Sequence, residues 1–209
     1  MTQLIPAILG ETPAELEEQL SRVGSLASLI SYDVTDGILA GPQTPKIALY
    51  PMPLKGASIF WHLMVSEPAE VIDSCFDFPT SIVALHVEAT GLETGLSALR
   101  RRDIQIGLAI NPDTPVSALT PYITTLDFVQ VMTVQPGRQG QGFLPEQLLK
   151  IQEIRLQRSD IQIAIDGGLN HVTIPLVQSY HPDYLIVGSA LTRAQDAAET
   201  YSRLEHLVA

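Results

Sequence analysis

Eight short apolar runs recur along the chain, separated by turns or by segments with helical spacing. The runs cover residues 3–9, 27–33, 57–63, 81–86, 104–110, 127–133, 161–166 and 184–188. Each run is almost continuously hydrophobic, whereas a strand with one exposed face alternates apolar and polar side chains. Continuous runs are typical of parallel strands buried on both faces. Such strands need helices on either side of the sheet, so an α/β architecture is predicted.

Helices are predicted between the runs. Thr12, Ser66 and Thr114 are each followed closely by a proline, an order of residues that is typical of a helix N-cap and first turn. Residues 145–157 and about 194–207 carry apolar side chains three or four positions apart, as helices with one buried face do. Strand and helix segments therefore alternate through most of the chain.

This alternation in 209 residues predicts a (β/α)8 barrel that forms one domain, residues 1–209. A doubly wound open sheet is the alternative, although no G-x-G-x-x-G motif follows the first run. Residues 38–56 contain four prolines, so a loop with a short helix at most is expected there. Barrels carry their chemistry at the C-terminal ends of the strands, and polar residues at those ends are therefore the candidates.

Charge and cysteine usage restrict the partners. The net charge of −11 argues against nucleic acid and anionic membranes, since both bind basic surfaces. Cys75 is the one cysteine, so no intrachain disulfide can form and a cytoplasmic setting is expected. The first residues lack the pattern of a signal peptide, and no apolar run approaches the length of about 18 residues that a membrane span requires.

Polar residues follow most of the predicted strands. They are Asp33, His62, His86, Glu88, Asn111, Thr133, Gln135, Asp166, Gly188 and Ser189. Asp33, His62 and Asp166 offer two oxygens and one nitrogen, which suits a divalent metal. A single histidine on a strand is, however, more often a hydrogen-bonded core residue. A buried carboxylate without a partner is costly, so Asp33 and Asp166 need a cation, hydrogen bonds or a raised pKa, all of which are typical of active sites.

Three glycine-rich turns follow late strands, at residues 131–143, 166–170 and 187–191. Glycine lets backbone N–H groups approach an anion closely, and barrels often bind phosphate beside the last two strands. Ordinary tight turns also need glycine, but the presence of two such turns in the expected place favours a phosphate site. Arg138 adds a cation to the first turn, although an arginine on a loop is equally compatible with a solvated position.

Together these motifs resemble the ribulose-phosphate 3-epimerase family. The matching fragments are YDVTDG (32–37), HLMV (62–65), HVEA (86–89), NPDTP (111–115), MTVQPGRQGQGF (132–143), DGG (166–168) and VGSAL (187–191). Their order and spacing extend through nearly the whole chain. The combination is much more specific than any single fragment.

The resemblance implies a (β/α)8 barrel that interconverts D-ribulose 5-phosphate and D-xylulose 5-phosphate through an enediolate. Asp33 and Asp166 match the two catalytic acid/base residues, and Asp33, His62 and Asp166 match metal ligands. The implied cofactor is a divalent metal (zinc, iron, manganese or cobalt). The implied partners are a phosphorylated ketose and further copies of the chain in a homo-oligomer. The residues that match substrate contacts are Met64, His86, Met132, Gly140, Gly167, Gly168, Gly188 and Ser189.

The chain also departs from the family pattern. Ser31 stands where the family carries a metal-ligand histidine, Ala7 where it carries a serine, and Thr35 where it carries a methionine. Gln139 replaces a glycine of the phosphate loop, and residues 38–43 replace a polar segment. These changes predict metal binding that is weakened or lost, while the phosphate turns are better retained.

Three functions are compatible with these residues. The first is an active ribulose-phosphate 3-epimerase, which the pair Asp33 and Asp166 favours. The second is a divergent paralogue that acts on another sugar phosphate, which the changed end of the second strand favours. The third is a phosphate-binding protein without catalysis, which the combined changes at Ser31, Ala7 and Thr35 favour.

Overall fold

Eight parallel strands form a closed barrel in the structure, a computed structural model that describes residues 2–208. The strands are Gln3–Ile8 (β1), Leu29–Thr35 (β2), Ser58–Met64 (β3), Thr80–His86 (β4), Gln105–Ile110 (β5), Phe128–Met132 (β6), Gln162–Asp166 (β7) and Tyr184–Val187 (β8). Each strand pairs with the next along the chain, and β8 pairs with β1. This closure confirms the predicted (β/α)8 barrel and rules out the open doubly wound sheet.

Apolar side chains fill both faces of the barrel wall. The interior holds a cluster of ten buried residues, namely Ile5, Ala7, Leu29, Phe60, Ile82, Ala84, Phe128, Ala164, Tyr184 and Ile186. A larger cluster, which includes Tyr32 and Trp61, lies between the barrel and the helices. Successive side chains of a strand point to opposite faces, so both layers draw on every strand. This explains why the strand sequences are apolar throughout rather than alternating.

Seven α-helices lie in the described residues. They are Pro13–Val23 (α1), Ala69–Cys75 (α2), Leu92–Leu99 (α3), Leu149–Gln157 (α4), Ile174–Gln178 (α5), Ser189–Thr192 (α6) and Ala197–Glu205 (α7). Thr12 caps α1 as predicted, because its hydroxyl accepts a hydrogen bond from the amide of Glu15 at 3.3 Å. Between residues 2 and 208, no helix has both the length and the apolar character that crossing a bilayer requires.

Two predicted helix starts were wrong. The amide of Ser66 donates to Asp36 Oδ2 at 2.6 Å, and α2 begins three residues later without a side-chain cap. The amide of Thr114 donates to the backbone oxygen of Asn111 at 3.2 Å, and only a 3-10 helix, Val116–Leu119, follows it. In neither case does the side-chain hydroxyl cap a helix, and that of Ser66 donates instead to Thr90 Oγ1 at 3.2 Å.

The remaining helix predictions need smaller corrections. Residues 145–157 begin as a 3-10 helix, Pro145–Leu148, before α4. The helix expected over about 194–207 is shorter, because Asp196 accepts a hydrogen bond from the amide of Glu199 at 2.9 Å and so starts α7 at residue 197. Residues 38–56 contain only a short 3-10 helix, Ile47–Leu49, as their prolines predicted.

The barrel interior gives a first test of packing at Gly107 in β5. A Cβ added to Gly107 would lie 2.3 Å from the ring of Phe128, which fills the space beside it. Gly107→Ala is therefore expected to lower the free energy of unfolding by about 1–3 kcal/mol through overpacking. Urea denaturation measures this. Gly142→Ala is the control, since a Cβ there meets nothing within 4 Å; equal stabilities of the two variants would contradict the packing.

Candidate active site

Two carboxylates and one imidazole meet at the C-terminal mouth of the barrel. Asp33 of β2, His62 of β3 and Asp166 of β7, hereafter the Asp–His–Asp cluster, each offer a ligand atom within 4.8 Å of the other two. His62 Nδ1 lies 3.1 Å from Asp166 Oδ2 and 3.5 Å from Asp33 Oδ1. Asp33 and His62 are neighbours because they pair across β2 and β3. Closure of the barrel adds Asp166, so the structure brings these three predicted residues together.

The charges of this cluster are buried. The exposed fraction is 7% for Asp33, 0% for His62 and 9% for Asp166. Burial alone would lower the pKa of His62, but the carboxylates of Asp166 and Asp33 outweigh it and raise that pKa to about 9. Burial raises the pKa of Asp166; His62 opposes this shift and Asp33 reinforces it. The cluster therefore stabilises a positive charge, either a proton on His62 or a metal cation.

The donor set of the cluster fits a divalent metal. Two carboxylate oxygens and one imidazole nitrogen are common ligands of zinc, iron, manganese and cobalt. Their ligand atoms are already close together, and the pair of buried carboxylates requires a balancing cation. The Asp–His–Asp cluster can therefore hold a metal ion.

Neighbouring groups fix the two aspartates. The hydroxyl of Ser31 donates to Asp33 Oδ1 at 3.2 Å, and Tyr50 donates to the backbone oxygen of Asp33 at 2.8 Å. Thr133, just after β6, donates to the backbone oxygen of Asp166 from both its amide (2.8 Å) and its hydroxyl (3.0 Å). These contacts hold the strand ends that carry the carboxylates.

A chain of hydrogen bonds runs outward from the back of His62. Its Nε2 lies 2.9 Å from Nε2 of His86, whose Nδ1 lies 3.1 Å from Glu88 Oε2. Glu88 Oε1 accepts from the amide of Asn111 at 2.9 Å. Burial lowers the pKa of His86 although Glu88 opposes this shift, so a neutral His86 donates from Nδ1 and accepts at Nε2. This assignment directs an N–H of His62 toward His86 and leaves His62 Nδ1 facing the two carboxylates.

His86 therefore occupies a different place from the one expected for a substrate contact. It is fully buried behind His62, its ring edge to edge with that of His62 and nearly parallel to it, and it is not among the residues that line the cavity. Its contact is with His62 rather than with the open site.

One cavity joins the Asp–His–Asp cluster to the glycine-rich turns. Its lining includes Ala7, Met64, Met132, Gly140, Gly167, Gly168, Gly188 and Ser189. The turn after β7 has two successive glycines in the left-handed region, with φ of 118° at Gly167 and 66° at Gly168. Side chains are absent where the backbone approaches the cavity. The predicted substrate contacts other than His86 thus share one space with the predicted catalytic residues.

The loop after β6 is held against the segment between β2 and β3. A Cβ added to Gly41 would lie 2.2 Å from the backbone oxygen of Gly137, and both residues have positive φ, 56° and 91°. Both positions therefore require glycine. The proline-rich segment supports the rim of the cavity through this contact and through Tyr50.

The structure adds two residues that sequence patterns did not single out. Gln130, inside the third-last apolar run, is fully buried and its Nε2 lies 2.9 Å from Asp166 Oδ2. A lone polar residue within an apolar strand was the available signal. The guanidinium of Arg193 lies beside Gly140. This contact joins residues far apart in the sequence, so no local sequence pattern indicates it. Gln135, by contrast, bonds to Asp113 on the exposed rim.

Comparison with known proteins agrees with the motifs. Residues 3–192 match the Ribulose-phosphate 3 epimerase family. The chain is 32% identical to a ribulose-phosphate 3-epimerase of Schizosaccharomyces pombe, over 99% of this chain and 93% of the relative, and 30% identical to one of Bacillus subtilis, over 98% of both. Among solved structures, 3-hexulose-6-phosphate synthase from Salmonella typhimurium shares the fold, with a TM-score of 0.73, 16% identity and coverage of 99% and 98%. The chain belongs to the ribulose-phosphate 3-epimerase family.

Proposed function

We propose that the chain interconverts D-ribulose 5-phosphate and D-xylulose 5-phosphate. The observation that carries the proposal is the single cavity in which the Asp–His–Asp cluster adjoins the glycine-rich turns. Relatives that match almost the whole chain are named as ribulose-phosphate 3-epimerases. A ketose phosphate needs both parts of such a site, one for the phosphate and one for the reacting carbons.

Asp33 and Asp166 are the proposed acid/base pair. Epimerisation at C3 removes the proton beside the C2 carbonyl and returns a proton to the opposite face of the planar enediolate. One carboxylate accepts the first proton while the other, protonated, donates the second. The two groups come from β2 and β7, which are not paired strands, so they reach the cavity from different parts of its wall. The raised pKa of Asp166 suits a carboxyl group that must carry a proton during turnover.

The proposed cofactor is a divalent metal held by Asp33, His62 and Asp166. When bound, such a metal polarises the ketose carbonyl and stabilises negative charge on the enediolate oxygens. Zinc, iron, manganese and cobalt all suit these ligands. His86 and Glu88 act as positioning residues, because they fix the ring of His62 through the hydrogen bonds described above.

The proposed phosphate site is formed by the turns that contain Gly140, Gly167, Gly168, Gly188 and Ser189. Close backbone approach at these glycines provides N–H donors for an anion in an otherwise acidic protein. Arg138 lines the same cavity and Arg193 lies at its rim. These two guanidinium groups offset part of the net charge of −11 near the substrate.

A second candidate is epimerisation of a different ketose phosphate. The observation that favours it is Ala7, a small apolar side chain that lines the cavity. Without a hydroxyl at this position, the site has one polar contact fewer for the sugar and slightly more room.

The decisive experiment is a coupled assay of the chelated protein with D-ribulose 5-phosphate, before and after addition of Zn²⁺, Mn²⁺, Fe²⁺ or Co²⁺. We expect formation of D-xylulose 5-phosphate, with an activity loss of at least about 100-fold after chelation and recovery with one or more metals. A panel of other ketose phosphates is run in parallel. Turnover of another sugar alone favours the second candidate, and absence of turnover with every metal and sugar contradicts both.

A further inference from the structure

Gln130 is a polar side chain in the middle of the barrel. It lies between Phe128 and Met132 in β6 and is fully buried. Alternation along the strand places its side chain on the inner face, one layer below Met132 at the cavity. Burying an amide there is unfavourable unless its oxygen and nitrogen both find partners.

Only one end of this amide has a partner. The nitrogen Nε2 lies 2.9 Å from Asp166 Oδ2 and 3.2 Å from His62 Nδ1, the two atoms that face each other in the Asp–His–Asp cluster. The oxygen Oε1 is buried and, within residues 2–208, has no hydrogen-bond partner. The outer end of Gln130 therefore touches the cluster directly, while its acceptor is unused.

Oxygen and nitrogen of a side-chain amide exchange places when the group turns by half a revolution about its last bond. A cation in the cluster repels the NH₂ group and attracts the carbonyl oxygen, which is an oxygen ligand for divalent metals. After that turn, Oε1 lies where Nε2 lies now, beside Asp166 Oδ2 and His62 Nδ1. The buried acceptor Oε1 thereby gains a partner.

We propose that Gln130 is a fourth protein ligand of the metal centre and that its amide turns when the metal binds. This inference rests on the metal site of the proposed function and adds to it a ligand on β6. Ser31 is the nearest alternative, but its hydroxyl donates to Asp33 Oδ1 at 3.2 Å and so already supports a ligand. Gln130 would supply an oxygen donor that already lies beside two members of the three-residue cluster.

Titration of the metal-free protein with Co²⁺ tests the ligand without any ketose. Calorimetry gives the Kd, and the visible absorption bands of Co²⁺ respond to its donor atoms. Gln130→Leu removes the amide at similar volume and is expected to weaken Co²⁺ binding at least about tenfold and to change the absorption bands. Gln130→Glu keeps an oxygen donor and is expected to bind Co²⁺ at least as tightly as the unaltered chain.

Gln147→Leu is the matched control, because Gln147 is also a buried glutamine with an unpartnered Oε1 but lies outside the cavity. It is expected to leave both Kd and absorption unchanged. Circular dichroism confirms that each variant is folded. Unchanged Co²⁺ binding and absorption in Gln130→Leu overturn the assignment. A loss of Co²⁺ affinity in Ser31→Ala that is absent from Gln130→Leu overturns it as well. Epimerase activity is recorded separately. If the unaltered chain turns over ketose phosphate and Gln130→Leu binds Co²⁺ unchanged, only the assignment of Gln130 as a ligand is refuted, and the proposed function stands.

Discussion

Asp166→Asn and Asp33→Asn are each expected to lower kcat for ketose-phosphate epimerisation by about 100- to 10,000-fold. A positioned acid or base contributes a factor of this size, and an amide can neither accept nor donate the proton at C3. Asparagine keeps the shape of the side chain and one oxygen that can bind a metal. Steady-state assays under saturating metal measure the loss, and metal content is determined for each variant.

Asp127→Asn is the control for these two substitutions. Asp127 precedes β6 at the opposite end of the barrel, where its Oδ2 accepts from the amide of Ile106 at 2.7 Å. An asparagine oxygen can accept the same hydrogen bond, so kcat is expected to stay within a factor of about two. A kcat of Asp166→Asn as high as that of the control contradicts the acid/base assignment.

Solvent exchange in D₂O separates the two aspartates. If each carboxylate serves one face of the enediolate, removal of one blocks C3–H exchange from one epimer and leaves exchange from the other. Asp33→Asn and Asp166→Asn are therefore expected to retain exchange with opposite epimers. Exchange of the same epimer in both variants argues for a single base.

Much of this site could be predicted from sequence because its position follows from the strands. Asp33 and Asp166 end apolar runs, and a closed parallel barrel gathers all strand ends at one mouth. The glycine-rich turns were found for the same reason. Residue order and strand type were sufficient to place these residues at one mouth, and the resemblance to the family selected the two aspartates among the polar strand ends.

Depth within the barrel was harder to predict. His86 ends β4 as His62 lies near the end of β3, yet His62 borders the cavity whereas His86 lies behind it. Side-chain contacts decide this difference, since the two ring nitrogens of His86 meet His62 and Glu88. Gln130 was not identified as a site residue for a related reason, because the sequence does not show which groups a single polar side chain in an apolar run contacts. The helix starts at Ser66 and Thr114 failed because neither hydroxyl caps a helix, and that of Ser66 bonds to Thr90 instead.

Gly168→Ala is expected to raise the KM for a phosphorylated ketose about tenfold or more. Gly168 has φ of 66°, a conformation that costs about 1–2 kcal/mol for a residue with a Cβ, and each 1.4 kcal/mol corresponds to a factor of about ten. The added Cβ would also lie 2.9 Å from Cα of Phe143 in the loop after β6. Relief of the backbone strain and of the close contact with Phe143 is expected to move the turn after β7 away from the loop after β6, and these are two sides of the proposed phosphate site.

The size of the effect on phosphorylated and unphosphorylated substrates distinguishes a phosphate contact from a general loss of stability. Inorganic phosphate is expected to inhibit Gly168→Ala more weakly than the unaltered chain, while slow turnover of D-ribulose changes little, because that sugar does not use the turn. Gly142→Ala, in the loop after β6 and with open space around its Cβ, should leave KM unchanged. If Gly168→Ala lowers Tm but keeps its KM and its inhibition by phosphate, the glycine serves only the turn and the anion binds elsewhere. If KM rises for the phosphorylated ketose alone, the backbone at Gly168 lies against the phosphate. The distance from this turn to the Asp–His–Asp cluster then determines which carbon of the sugar reaches the two carboxylates.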